Sequence, residues 1–160
     1  RYPKVVATVE LDAEGGEGIT REVLKMGKQL ADLLDGELHV LHVWSAYGES
    51  MLRRSSFAGL EPADLQKYLE QTEEHCKEDL RALLDRCGCK VGGDVTHLVK
   101  GEPATDIPYF CRMEDVDMLV MGTVARSGLI GVLLGNTAER IAHDLPASVV
   151  AVKPGGEKGN

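Results

Sequence analysis

Five short apolar runs punctuate the chain, and between them the apolar residues recur at intervals of three and four. The runs are residues 4–9 (Lys-Val-Val-Ala-Thr-Val), 37–44, 94–99, 118–121 and 148–152. The first is a β-branched run without strict in–out alternation, the pattern of a strand covered on both faces. After a polar, glycine-rich stretch at 10–18, Thr20 is positioned as an N-cap, and Val23, Leu24, Gly27, Leu30, Ala31 and Leu34 recur at helical spacing. Asp35-Gly36 closes that helix, with Gly36 suited to a left-handed C-terminal position. Residues 63–87 form a long amphipathic helix through Leu65, Leu69, Thr72, Cys76, Leu80, Leu83, Leu84 and Cys87, with Glu70, Glu73, Glu74 and Glu78 as a solubilising outer face. Gly101-Glu-Pro103 turns the chain into a helix capped by Thr105, with Pro108 in its first turn and Ile107, Phe110 and Cys111 facing the core. A last helix opens at Asn136, where Asn136-Thr-Ala-Glu139 has capping-box spacing. It buries Ile141, Ala142 and Leu145, and Pro146 stops it. Strand and helix alternating to a final strand predict an α/β domain: an open parallel sheet with helices on both faces.

One stretch, 116–139, carries the candidate chemistry. A buried strand ends at Met121, four glycines follow (Gly122, Gly128, Gly131, Gly135), and a helix begins. Glycines let backbone N–H groups approach a ligand, and a helix N-terminus adds unpaired donors with a positive partial charge. The same string also serves as an ordinary strand-to-helix connection, and spacing alone leaves the two readings open.

Composition narrows the setting. The chain has 160 residues, 43% of them apolar and 28% charged, which fits one domain with a real core. A net charge of −8 argues against nucleic acid or an anionic membrane as principal partner, though backbone amides bind phosphate without a basic surface. No apolar run approaches the ~20 residues of a membrane span, and no signal-peptide pattern opens the stretch, so a cytoplasmic location is expected. The four cysteines, Cys76, Cys87, Cys89 and Cys111, read as reduced structural thiols, since Cys87-Gly-Cys89 lacks the Cys-x-x-Cys spacing of redox and zinc sites. His39 and His42 face opposite sides of a strand and read as structural, not as a metal pair. The long segment 45–62 contains Arg53-Arg-Ser-Ser56, read as a solvated loop in preference to a phosphorylation site.

Taken together, the Val-Val-Ala-Thr-Val-Glu opening strand, Leu41-His-Val43, Gly101-Glu-Pro103, Asp117-Met-Leu-Val-Met-Gly122, Leu134-Gly-Asn-Thr-Ala-Glu139 and Ala151-Val-Lys-Pro154 resemble a universal stress protein domain over essentially the whole length. The resemblance implies a five-stranded parallel sheet in order 3-2-1-4-5, a single domain over 1–154 with a disordered tail at 155–160, and pairing through the last strand. That strand comprises Ser148, Val149, Val150, Ala151 and Val152. It also places a cleft where strands one and four meet, the switch point at which open α/β sheets bind ligands.

Nucleotide-binding members resemble one another in a loop written Gly-x-x-Gly, nine residues, then Gly-Ser/Thr. Here Gly122 and Gly135 match, while Ala125 replaces the second glycine and Asn136 the hydroxyl residue; Thr137 compensates only if the turn shifts. Glu10 stands where members place an aspartate near the ribose, and Val43 and Met121 match positions lining the adenine pocket. Thr8 completes the candidate set, and Glu10 with Asp12 read as exposed acidic loop residues in preference to magnesium ligands for a bound nucleotide. The variant loop looks most like the tandem-domain branch, in which Arg1 would stand near the start of a second half. No Ser-Gly-Gly-x-Asp-Ser or Gly-Lys-Ser/Thr string and no convergent acid–base pair occurs, so no catalysis beyond weak nucleotide hydrolysis is expected. The implied function is a non-enzymatic stress-response regulator or scaffold acting as a homodimer or with a sister domain, with weak or no ATP binding. The alternative is a regulator that holds ATP or AMP with magnesium in the cleft.

Overall fold

Residues 4–8 are the hub around which the sheet is laid. The computed structural model describes residues 1–11, 16–46, 48–49, 61–123 and 136–153. Strand β1 (Lys4–Thr8) is central, with β2 (Glu37–Trp44) on one side and β4 (Met118–Gly122) on the other. Strands β3 (Thr96–Lys100) and β5 (Ser148–Val152) complete the order β3-β2-β1-β4-β5, and every neighbouring pair is parallel. The sheet order and direction are those the resemblance implies.

Among the described residues four helices cover it: α1 (Gly16–Leu33), α2 (Pro62–Arg86), α3 (Pro103–Met113) and α4 (Asn136–Asp144). Consecutive strand residues point to opposite faces, so the paired valines of β1 feed two cores. Val5 and Ala7 join Val23 and Leu24 of α1 and Leu80, Leu83 and Leu84 of α2 on one face. Val6 joins Ile107 and Cys111 of α3 and Ile141 of α4 on the other. Val5, Val6 and Ala7 have no exposed surface at all, which is why this strand shows no alternation. A third, smaller cluster sets Trp44 and Ala46 against Leu69 of α2.

Several local expectations are corrected. Helix α1 starts at Gly16, and Thr20 lies inside it, 3% exposed; the first turn instead carries Glu17, paired with Arg21 one turn on at 2.9 Å. The left-handed residue after α1 is Asp35 (φ 51°), and Leu34 lies past the helix end, 39% exposed. Helix α3 begins at Pro103, the first-turn position that suits proline, with Glu102 as N-cap. Thr105, expected as the N-cap, lies inside the first turn, and Asp106 Oδ2 accepts the Glu102 N–H at 2.7 Å. Pro108 therefore sits inside the helix and is buried, where it forgoes one ladder bond. Residues 93–95 form a 3-10 turn, so β3 starts at Thr96. Ala142 is exposed, because α4 rests on Ile141 with Leu145 packing beside it.

Candidate functional site

The order of the sheet brings the ends of β1 and β4 side by side. Their register pairs Val5 with Met118, Val6 with Leu119 and Ala7 with Val120, so Thr8, Val9 and Glu10 leave the sheet next to Met121, Gly122 and Thr123. Successive connections run outward from here in opposite directions, to β2 and β3 on one side and to β5 on the other. This is the switch point of a doubly wound sheet, and the crevice above it is the candidate site.

Its floor is heavily engaged in protein hydrogen bonds. Thr8 Oγ1 donates to the Val120 carbonyl at 3.4 Å, a long bond on a half-buried hydroxyl. The Val9 N–H donates to Leu41 O at 3.0 Å, and the Val9 carbonyl is 2.9 Å from His42 Nδ1. A carbonyl only accepts, so this contact fixes the proton on Nδ1 of a histidine that is 4% exposed. Across the crevice, the Thr123 N–H donates to Val152 O at 3.0 Å. Gly122 packs under α1: a Cβ there would lie 3.0 Å from Ile19 Cγ1, so the glycine lets the helix N-terminus approach the end of β4.

Of the residues expected to bind nucleotide, Thr8, Glu10 and Gly122 stand together at this crevice, with the Glu10 side chain exposed. Val43 and Met121 belong to the second core, their side chains packed with Val6, Leu41 and Leu119. Asn136 and Thr137 open α4 as expected. Ala125, Gly135 and Asp12 lie outside the described residues, as does the loop 124–135 between them. Among the described residues no group of three or more His, Cys, Asp or Glu side chains could hold a metal ion. Strand β5, expected as the pairing edge, pairs among the described residues with β4 alone; Ser148 and Ala151 are exposed, and Val149, Val150 and Val152 are half-buried.

A second polar constellation, not legible from spacing, lies beneath α3. His39 Nδ1 is 2.8 Å from His97 Nε2, and His39 Nε2 is 3.1 Å from Glu37 Oε2. The two rings stack with centroids 5.2 Å apart, and Phe110 tilts against His97 at 4.9 Å. The carboxylate of Glu37 accepts only, so a neutral His39 carries its proton on Nε2 and takes the His97 Nε2–H at Nδ1. Burial pushes the His97 pKa down, and His39 beside it pushes the same way. Nearby, the Lys4–Glu114 ion pair at 2.9 Å holds the Glu114 carboxyl below its usual range, chiefly through the lysine hydrogen bond. His39 and His97 are 58 residues apart, and only the β2–β3 register joins them. His39 and His42 do face opposite sides, and each has a partner, as the strand geometry required.

Residues 5–153 match the sequence model of the universal stress protein family. The chain belongs to the universal stress protein family. It is 26% identical over 157 residues to a universal stress protein of Methanocaldococcus jannaschii, an alignment covering 95% of this chain and 82% of that one. A universal stress protein E homolog of Haemophilus influenzae is 27% identical over 154 residues, covering 94% of this chain but 47% of its own. Among solved structures, a putative universal stress protein from Pseudomonas aeruginosa superposes with a TM-score of 0.68 at 23% identity, over 96% of this chain and 48% of that one. A universal stress protein solved in complex with cAMP superposes with a TM-score of 0.58 at 18% identity, over 96% of this chain and 98% of that one. The chain thus spans most of one curated relative and about half of the other. Membership accounts for the sheet order and for the opening-strand and tail motifs. No helix among the described residues is long and apolar enough to cross a membrane.

Proposed function

We propose that the domain is a non-enzymatic, cytoplasmic stress-response regulator or scaffold that works through pairing, across β5 with a second copy or with a sister domain, and that its switch-point crevice takes ATP weakly or not at all. The observation that carries this reading is the crevice together with the loop that should complete it. Ala125 puts a methyl where backbone approaches phosphate in nucleotide-binding members, and Asn136 puts an amide where a hydroxyl would donate. Losing two such hydrogen bonds removes about 2–4 kcal/mol at roughly 1–2 each. In affinity that is a factor of tens to several hundred. The floor adds to the effect: the N–H groups of Val9 and Thr123 are committed to Leu41 and Val152, and the Val43 and Met121 side chains to the core. A net charge of −8 further opposes an anionic ligand and a nucleic-acid partner alike.

The alternative reading, a regulator that holds ATP or AMP with magnesium, draws support from the preserved Gly122 and Gly135 and from the cAMP complex of a protein of the same fold. Isothermal titration with ATP, ADP and AMP separates the two. Weak or absent binding is expected, and micromolar ATP affinity reverses the order. The double change Ala125→Gly with Asn136→Ser is expected to raise ATP affinity by tens to several hundred-fold, matching the two restored bonds. No gain from that reversion means the loop departures are not what limits binding.

A further inference from the structure

Helix α2 ends on a Cys-Gly-Cys string held in a fixed turn. Cys87 is the C-cap, Gly88 adopts φ +66°, and the chain is locked by Gly88 N–H to Asp85 O at 3.0 Å and Cys89 N–H to Leu84 O at 2.9 Å. This is the paired bonding of a Schellman motif with glycine in the left-handed position. Two residues of chain hold the cysteine Cα atoms within about 7 Å even at full extension, and the turn shortens that span. Both cysteines are half-buried and line the same groove, about 710 Å3 in volume, between α1 and the α2–β3 connection. None of Thr8, Glu10 and Gly122 lines it.

We propose that Cys87 and Cys89 form a two-thiol site for a soft monovalent cation of the copper(I) type on the wall of this groove. Ligand chemistry selects the ion. Thiolates favour soft metals, and copper(I) is among those that sulfur ligands select. A structural zinc ion takes four ligands, and no third His, Cys, Asp or Glu joins the pair among the described residues. A linear two-coordinate ion needs no more than the two sulfurs.

Charge points the same way. Binding forms two S–Cu bonds and releases two thiol protons to solvent, leaving a bis-thiolate complex of net charge −1. The groove that receives it is lined by Arg21, Lys25, Lys28 and Lys90. Arg21 is paired with Glu17 and Lys28 with Asp32, but no ion pair engages Lys25 or Lys90 among the described residues. Glu22, Asp32 and Glu37 line the same groove as opposing charges, so the lysines favour an anionic complex without making the groove strongly basic. The other two cysteines stand apart: Cys76 packs in the Trp44 cluster, and Cys111 has no exposed surface.

The test is anaerobic competition for copper(I) against bathocuproine disulfonate, with the reduced chain. One ion per chain, with sulfur-to-copper charge-transfer absorption and two protons released, is expected. Cys87→Ser and Cys89→Ser should each weaken binding by more than the roughly 10–100-fold that an outer-shell change costs. Cys76→Ser should leave binding unchanged. Circular dichroism on each variant separates lost ligands from lost fold, and a Lys25→Gln/Lys90→Gln variant, which keeps both sulfurs, should bind more weakly. Wild-type affinity in a Cys87→Ser/Cys89→Ser double variant, no retained ion in the wild type, or loss of the ion in Cys76→Ser overturns the proposal.

Discussion

Gly36 and Gly88 both follow a helix, and both look in sequence like the same device. In space they answer different constraints. Gly88 has φ +66° and open space around it, so its glycine is required by backbone conformation alone. Gly36 does not need the left-handed region, which Asp35 occupies; a Cβ on it would drive into the Pro3 carbonyl oxygen, to which Glu37 N–H donates at 2.8 Å. Asparagine tolerates left-handed φ but brings a side chain, so it separates the two cases. Gly88→Ala is expected to cost about 1–2 kcal/mol, and Gly88→Asn less than that. Gly36→Ala is expected to cost about 1–3 kcal/mol through overpacking, and Gly36→Asn no less. Urea midpoints at unchanged m-value measure both pairs. If asparagine rescues position 36 as well as 88, the close approach to Pro3 is not the reason for that glycine. The sequence marks the end of α1 but not which of Asp35 and Gly36 turns, because the clash partner lies more than thirty residues away along the chain.

Among elements, the histidine cluster ties β2, β3 and α3 together and makes their packing pH-dependent. Facing His97 are His39 from β2 (which in turn bonds Glu37), Phe110 from α3, Glu114 at the C-cap of α3, and Lys4 from β1. Burial first, then His39 and Lys4, lower its pKa, and Glu114 opposes them. A histidine depressed in the folded state binds fewer protons there than in the unfolded chain, whose value is near 6.5. Stability from this group is therefore level above that value and falls as pH drops through it toward the folded pKa. Glu114 acts in a lower window: its depressed carboxyl contributes above its ordinary 4.5 and loses that contribution below. Between pH 7.5 and 5.5 the histidine slope is expected to dominate. Chemical denaturation of wild type and His97→Gln across that range checks it: the wild type should lose stability, and the variant should show a visibly flatter profile. Parallel profiles would assign the slope elsewhere. The strands are legible because each is a short, largely apolar run bounded by polar or glycine-bearing segments. Which strands neighbour one another is a matter of register and crossover, and periodicity carries neither. The start of α3 at Pro103 is not legible for a similar reason, since the Glu102 N–H is held by Asp106 from the following turn and not by a side chain at the cap.

For the whole molecule, the sheet leaves β5 as a short edge whose outward row of backbone groups is a template for another strand. The half-buried valines give that edge an apolar surface, while Ser148 and Ala151 are exposed beside it. Two chains that meet there each carry a net charge of −8, so the long-range electrostatic contribution to self-pairing is repulsive. Salt shortens the Debye length from about 10 Å at 0.1 M to about 3 Å at 1 M. Self-association is therefore expected to strengthen as salt is raised, the reverse of a pairing held by opposite charges. Ala151→Glu adds a like-charged pair across a two-fold axis at an exposed position, where the cost to the monomer should stay within about 0.5 kcal/mol. Sedimentation equilibrium at low and high salt, with and without that substitution, measures both effects. A wild-type dimer that tightens with salt and dissociates with Ala151→Glu supports β5 as the seam. A variant of unchanged mass moves the seam off this strand, and association that weakens with salt means that charged contacts hold it.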